Sequence, residues 1–525
     1  MRLAIVVPRY GRDVGGGAET LARDYATRLA GRMDVTVLTT CAREYRTWQD
    51  HYPAGEYVED GVRVLRFAVP EPRDGKRFDK ISTVVLGGAR PSPELEQQWM
   101  DAQGPNAPGL IAHLEQMGAS YDAVLFVPYL YATTVRGLPM AAYRSVLVPA
   151  LHDEPPLRLA IFDDIIARAK ALVFSTPEEQ ELARRRFRVD PSRCHLVGAG
   201  IDAPPAGNAD RFRSRFGVDR PYVLCLGRID PSKGSDVLVS HHRAYRKRRP
   251  QGLDLVMVGP AIDEPPREPW LHTPGYVTDD QKHDAIAGAV ALVCPSPYES
   301  LSLVLLEAWS HGVPTIVTSA SPVLLGQTRR AGGGVWYRDP LEYAACLDLL
   351  ASRPPLAHAL GRAGWKFTQD LSWPVVVGRL EDAIRQTANV PPLPQASVAS
   401  ERAPGSGERD GTVRSRSDEP GPLQVACSGS DAVATAAALN ASAPGSQLYV
   451  VTDDPRTVLP PGAVAISRQA AEIDSWFATM DVVVDDDHEP EFGQGARQPG
   501  AIVVGVDAAS LGAAIQEAIA RRQPG

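Results

Sequence analysis

The order of apolar runs and glycine turns constrains this chain more than any single residue. Residues 3–7 form a short apolar run rich in branched side chains. Gly15-Gly16-Gly17 follows, then helical spacing over 18–29 and a second apolar run over 35–38. Runs of that length suit strands buried on both faces, and strand, glycine turn, helix, strand is the opening of a βαβ unit. The same opening returns near Pro221, with a strand over Tyr222–Leu226, a turn from Gly227 to Gly234 and a helix through Tyr245. A pattern that restarts in mid-chain predicts two α/β domains in succession rather than one long sheet.

Further strands are expected at Val62–Phe67, 123–127, 145–148 and Ala171–Phe174, and in the second domain at 255–258, Ala291–Cys294 and Thr315–Thr318. Residues 40–110 read as irregular, with part of them a mobile loop near a ligand cleft. A helix over 373–386 is expected to close the second domain. The domains are therefore drawn at 1–205 and 206–387. Residues 388–422 hold Pro, Ser, Gly and charged side chains with almost no apolar cluster, so nothing there offsets the entropy of ordering the chain, and a disordered linker is expected. A small α/β unit over 423–525 is expected from apolar runs at Gln447–Val451, 482–484 and 501–506 and a helical pattern over 511–519.

Charge and cysteine usage remove several function classes. Fifty-five Lys plus Arg against 63 Asp plus Glu leave a formal charge of -8, which gives no support to a global nucleic-acid binder. The six cysteines at 41, 194, 225, 294, 346 and 427 contain no CxxC pair, which argues against a zinc module or a disulfide scaffold and fits a reducing compartment. No stretch approaches the roughly 18 uninterrupted apolar residues of a spanning helix. The apolar start is cut short by Arg9, Arg12 and Asp13, so it reads as a first strand rather than a signal peptide, and a cytoplasmic protein is expected.

Three segments carry residues suited to phosphate and sugar chemistry. The tract from Gly11 to Glu19, GRDVGGGAE, is either an ordinary strand-to-helix turn or a place where backbone N–H groups meet an anion. It matches neither the dinucleotide fingerprint nor the P-loop. In the turn GRIDPSKG, Arg228 and Lys233 are either scattered surface charges or a pair of cations for a diphosphate. The third segment runs PSPYESLSLVLLEAW after the strand Ala291–Cys294, with Glu299 placed in the loop and Glu307 on the helix that follows. First-turn N–H groups at Leu303 and Val304 are open to a phosphate. For Glu307 the alternative is a structural salt bridge.

Together these segments resemble the retaining, nucleotide-sugar-dependent glycosyltransferases of family 4. The glycine-rich loop, the Arg228-x4-Lys233 turn, the Glu299-x7-Glu307 segment and Gly312-Val313-Pro314 carry the resemblance, which covers about residues 1–387. It implies a GT-B fold of two facing Rossmann-like domains, the acceptor mainly on the first and the donor mainly on the second. It further implies that Gly16 and Gly17 approach the donor diphosphate and that Arg228 and Lys233 neutralise it. Glu299 would contact the transferred sugar, Glu307 the ribose, and the backbone at Leu303 and Val304 the phosphates. His152, in Leu151-His152-Asp153, would bond a hydroxyl of the donor sugar. Where family members commonly carry Phe-Gly after the first Glu, this chain has Leu301-Ser302, so the identity of the hexose is not carried over.

The expected activity is hexosyl transfer with retention, from a UDP- or GDP-type sugar to a carbohydrate, glycolipid, lipid-linked or small-molecule hydroxyl, in the setting of polysaccharide biosynthesis. Neither a metal nor a cofactor is expected. The rivals are an inactive homologue acting as a binding or assembly subunit, and a nucleotide-sugar phosphorylase, epimerase or hydrolase. Asp453-Asp454 and Asp485-Asp486-Asp487 read as solvated edges or turns, with a cation site the alternative. The basic run from Arg243 to Arg249 reads as a solvated helix end, with peripheral contact to an anionic membrane the alternative.

Overall fold

The computed structural model describes residues 1–388, apart from Ala89 and Asp263, and beyond them the backbone of five strands, Gln424–Ser428, Gln447–Val451, Val464–Ile466, Val482–Asp485 and Ile502–Val504. These five form a parallel sheet. The linker expected over 388–422, save Ala388, and the helix expected over 511–519 lie outside the described residues.

The first sheet has eight strands: β1 (Arg2–Val6), β2 (Asp34–Thr40), β3 (Gly55–Glu59), β4 (Val62–Phe67), β5 (Ala123–Phe126), β6 (Ser145–Leu147), β7 (Ala171–Phe174) and β8 (Cys194–Leu196). Their order is β3-β4-β2-β1-β5-β6-β7-β8, and only β3 runs antiparallel to its neighbour. The second sheet has six parallel strands: β9 (Tyr222–Leu226), β10 (Asp254–Val258), β11 (Leu271–Gly275), β12 (Ala291–Cys294), β13 (Thr315–Thr318) and β14 (Gly334–Tyr337), in the order β11-β10-β9-β12-β13-β14.

Both sheets are covered on both faces. Along β1, Leu3 and Ile5 join one apolar cluster while Ala4 and Val6 join the other. In β9, Val223 faces one cluster, and Tyr222 and Leu224 the opposite one. This layering explains why the strands read as continuous apolar runs. Each sheet reverses its strand order beside its first strand, at β1 and at β9. In open α/β sheets ligands bind beyond the carboxyl ends of the strands at such a switch point. The tract from Gly11 to Gly17 leaves β1, and the turn from Gly227 to Gly234 leaves β9.

Two sequence expectations need correction. The stretch 40–110 is not mainly irregular: it holds β3, β4 and the helices Gly75–Leu86 and Pro93–Gln103. Asp74 and Ser92 cap those helices, and Trp99 buries 99% of its surface among their apolar neighbours. The hairpin from β3 to β4 turns on Asp60-Gly61, both at positive φ, the turn chemistry that suits a tight hairpin.

The helix Trp373–Ala388 does not close the second domain either. It crosses back onto the first sheet, where Trp373, Val376, Val377, Leu380 and Ile384 join the cluster of Leu3, Ile5 and Tyr25. Trp373 meets Tyr25 edge-on at 6.2 Å and lies under the Arg28 guanidinium at 4.1 Å.

Candidate functional site

The carboxyl ends of the two sheets bring the separate motifs together. Lys233 and Glu299 form an ion pair at 2.8 Å. Gly234 makes that approach feasible: its φ is +74°, and a Cβ there would sit 2.5 Å from the Pro295 carbonyl oxygen. Arg228 pairs with Asp230 at 2.9 Å and donates from Nη1 to the Tyr45 hydroxyl of the first domain, also at 2.9 Å.

His152 reaches the same place from the loop after β6. Its ring lies 6.3 Å from that of Tyr298, the neighbour of Glu299. Nδ1 stands 3.1 Å from a Glu154 oxygen, which in turn accepts from the Tyr129 hydroxyl at 3.0 Å. Burial opposes the charged imidazole, but the Glu154 carboxylate outweighs it, so the His152 pKa is raised. The loop is tied down by buried Glu179, which accepts the backbone N–H groups of Leu151 at 2.8 Å and Ser175 at 2.7 Å. Burial pushes the Glu179 carboxyl up to about 7, with those N–H groups pulling the other way.

The glycine loop has a structural reason of its own. Arg9 and Glu19 form a buried salt bridge beneath it, and Arg9 also donates to the Gly15 carbonyl at 3.2 Å. Gly16 has φ +147°, and a Cβ there would meet Glu19 Oε2 at 2.2 Å. At Gly17, the first residue of the helix Gly17–Leu29, a Cβ would meet nothing within 4 Å. The structure thus separates the two glycines: one is demanded by the fold, while the other leaves open backbone.

Leu303 and Val304 open the helix Leu303–Ser310. Among the described residues no acceptor meets their backbone N–H groups. Ser302, at the departure from the family pattern, is held in both directions by buried Gln327, whose Oε1 accepts from Ser302 N and whose Nε2 donates to Ser302 O, each at 3.2 Å. Leu301 and Leu303 pack against the apolar cluster of the first sheet. Trp309 anchors the far end of the helix, fully buried, with Nε1 donating to the Gly333 carbonyl at 2.8 Å.

Glu307 lies one turn into this helix and pairs with Lys282 at 2.8 Å. Burial works against the Lys282 ammonium, yet the Glu307 carboxylate outweighs it, and the pKa of Lys282 is raised. The site thus has two foci: His152, Tyr298, Glu299 and Lys233 make one, and Glu307 with Lys282 the other. The open N–H groups of Leu303 and Val304 lie between them in sequence. Sequence reasoning missed Lys282, Glu154, Glu179 and the Arg9–Glu19 pair. Only Glu179 carried a signal, since Thr176-Pro177-Glu178-Glu179 reads as a helix start with an acid at the third position.

In the basic run, Arg243, Arg246 and Arg249 pair with Glu268, Asp254 and Asp348. Among the described residues no three His, Cys, Asp or Glu side chains gather as a metal site, and no helix is long and apolar enough to cross a membrane. Asp453, Asp454, Asp486 and Asp487 lie outside the described residues, and of Asp485 only the backbone is described.

Residues 220–352 match the family model described as glycosyl transferases group 1. D-inositol 3-phosphate glycosyltransferases are similar in sequence: that of Frankia alni is 29% identical over 41% of this chain and 60% of its own length, and that of Salinispora arenicola 30% identical over 43% and 57%. The chain thus spans little more than half the length of the curated relatives it matches. Among solved structures, sucrose-phosphate synthase from Thermosynechococcus elongatus superposes with a TM-score of 0.56 at 18% identity, covering 73% of this chain and 98% of that one. Anabaena Alr3699/HepE in complex with UDP-glucose does so with a TM-score of 0.51 at 16% identity, covering 74% and 100%. Fold and family model agree: the chain has the GT-B fold, and residues 220–352 of its second domain match the group 1 glycosyltransferase model.

Proposed function

We propose that the chain is a retaining glycosyltransferase that moves a sugar from a nucleoside-diphosphate sugar to a hydroxyl acceptor. The observation that carries this reading is the meeting of His152 from the first domain with Tyr298, Glu299 and Lys233 from the second. An acid, a cation and an imidazole in one place suit a reaction in which a sugar becomes cationic while a diphosphate departs. Arg228 and Lys233 neutralise the leaving diphosphate, with the free N–H groups of Leu303 and Val304 as further donors. Open backbone at Gly17, beside Gly16, lets the phosphates approach from the first domain. Glu299 and His152 hold the sugar, and Glu307 accepts from the ribose hydroxyls.

In the reaction, the bond from C1 of the sugar to the diphosphate oxygen breaks and a bond from C1 to the acceptor oxygen forms on the same face. The acceptor proton passes to the departing phosphate. In the donor-free chain Lys233 and Arg228 are paired with Glu299 and Asp230, so neither cation stands alone before a diphosphate arrives. The donor lies on the second domain and the acceptor on the first, in a cytoplasmic setting. A UDP sugar is the first donor to try, since Alr3699/HepE is seen with UDP-glucose. D-inositol 3-phosphate, the compound in the relatives' name, heads the acceptors.

The test is product analysis: α-configured UDP and GDP sugars with a panel of hydroxyl acceptors, read by mass and by the anomeric proton coupling. An α-linked product is expected. A β-linked product would remove retention, and sugar release that ignores the acceptor would remove transfer.

A further inference from the structure

The Glu307 carboxylate is not free in this structure, and the residue that holds it is one that the functional reading does not use. Lys282 Nζ donates to Glu307 Oε1 at 2.8 Å and stands 3.3 Å from Asp279 Oδ1. Lys282 sits in the helix Asp279–Ala287, whose start is fixed by a capping box between Thr278 and Gln281. Next to it, His283 Nδ1 meets His311 Nε2 at 2.8 Å, so the helices carrying Lys282 and Glu307 are tied at a second point. The Lys282 side chain keeps 26% of its surface exposed and that of Glu307 20%, so the pair is half-buried and open to solvent rather than sealed in the core.

A glutamate on a helix has three rotatable bonds, and a ligand that needs its carboxylate in one place must meet the cost of ordering it. An ammonium bonded to one oxygen removes that freedom before the ligand arrives. It also leaves acceptor capacity, because a carboxylate offers about four lone-pair sites and Lys282 takes one. A cis-diol needs two. We propose that Lys282 is the positioning residue for the nucleotide ribose, holding Glu307 in the rotamer in which it accepts both ribose hydroxyls. This rests on the reading of Glu307 as the ribose ligand. The competing role is a clamp between two helices, and it predicts a loss that ignores what the ligand carries on its ribose.

The full chain is titrated calorimetrically with UDP, GDP and ADP, and with the 2′,3′-dideoxy analogue of whichever binds most tightly. Wild type, Lys282→Met, Lys282→Gln and Lys282→Arg are compared, with thermal melts as the check on folding. Losing a hydrogen bond to a charged group is worth about ten-fold in affinity, so Lys282→Met and Lys282→Gln are expected to weaken the ribonucleotide by about that factor. The dideoxy analogue, which binds the wild type more weakly, should change less than about two-fold between wild type and the same variants, and Lys282→Arg should restore most of the ribonucleotide affinity. An equal loss for both nucleotides, or no loss for the ribonucleotide, overturns the proposal while leaving the ribose site intact. Absence of any nucleotide binding to the folded wild type overturns the functional reading itself, and the proposal with it.

Discussion

Lys233 Nζ and Glu299 Oε1 stand 2.8 Å apart across 66 residues of chain, next to Gly234, where a Cβ would sit 2.5 Å from the Pro295 carbonyl oxygen. The pair means that neither residue changes without disturbing the other.

Glu299→Gln keeps the shape of the side chain and removes its charge. Loss of one group aimed at developing charge costs on the order of 10²-fold in turnover. The expected result is a fall in kcat of that size with donor KM little changed. With Lys233 in its proposed place on the diphosphate, Lys233→Met should lower kcat and raise donor KM together. Steady-state kinetics separate the two patterns, and a double variant should lose less than the sum of the single free-energy losses.

The two glycines of the first loop should behave oppositely. Gly16→Ala places a methyl against Glu19 at an unfavourable φ, and a loss of about 2–3 kcal/mol in stability is expected. Gly17→Ala meets no neighbour and lies in the first turn of a helix, so stability should hold or rise by up to about 1 kcal/mol. If Gly17 faces the diphosphate, the same variant binds donor less tightly despite its stability. Chemical denaturation and donor titration check both halves.

Much of the fold was legible because parallel strands buried on both faces leave continuous apolar runs, as in Tyr222–Leu226 and Ala291–Cys294. The edges were not. β11 carries Pro274 in an edge position, and β3 is half exposed, so neither shows an apolar run. The crossing of Trp373–Ala388 to the first sheet was hidden for another reason: an amphipathic helix announces that it has an apolar face, not which surface receives it. In the site, Arg228, Lys233, Glu299 and Glu307 stood out by spacing. Lys282 and Glu154 did not, because their significance lies in contacts that only the fold creates.

Glu179 should imprint a pH dependence on stability. Its carboxyl is raised to about 7 in the folded chain, above the ordinary value, so the fold binds this proton more tightly than the unfolded chain does. Its contribution is fully present below the unfolded pKa, near 4.5, and is lost as pH rises through about 7. The stability of wild type relative to Glu179→Gln should therefore fall with pH between those limits, by an amount on the order of 3 kcal/mol. Denaturation across that range reads it; a difference that grows with pH would reverse the sign of the argument.

Trp373→Ala should destabilise the first domain, not the second. Removing a buried indole costs about 3–5 kcal/mol, and its neighbours Tyr25 and Arg28 belong to the first sheet's helix. Hydrogen exchange should speed up around residues 17–29, with β9 and β12 unaffected.

The proposed donor is a nucleoside-diphosphate sugar with Glu307 on its ribose. Ligand-observed NMR of the full chain against UDP-, GDP-, ADP- and TDP-sugars, run beside Glu307→Ala, tests it most directly. Saturation of one donor class is expected in the wild type, with ribose and sugar protons in contact, and its loss in the variant. Binding that persists unchanged in Glu307→Ala would contradict the assignment of the ribose site. No binding of any donor to the folded wild type would contradict the claim as a whole.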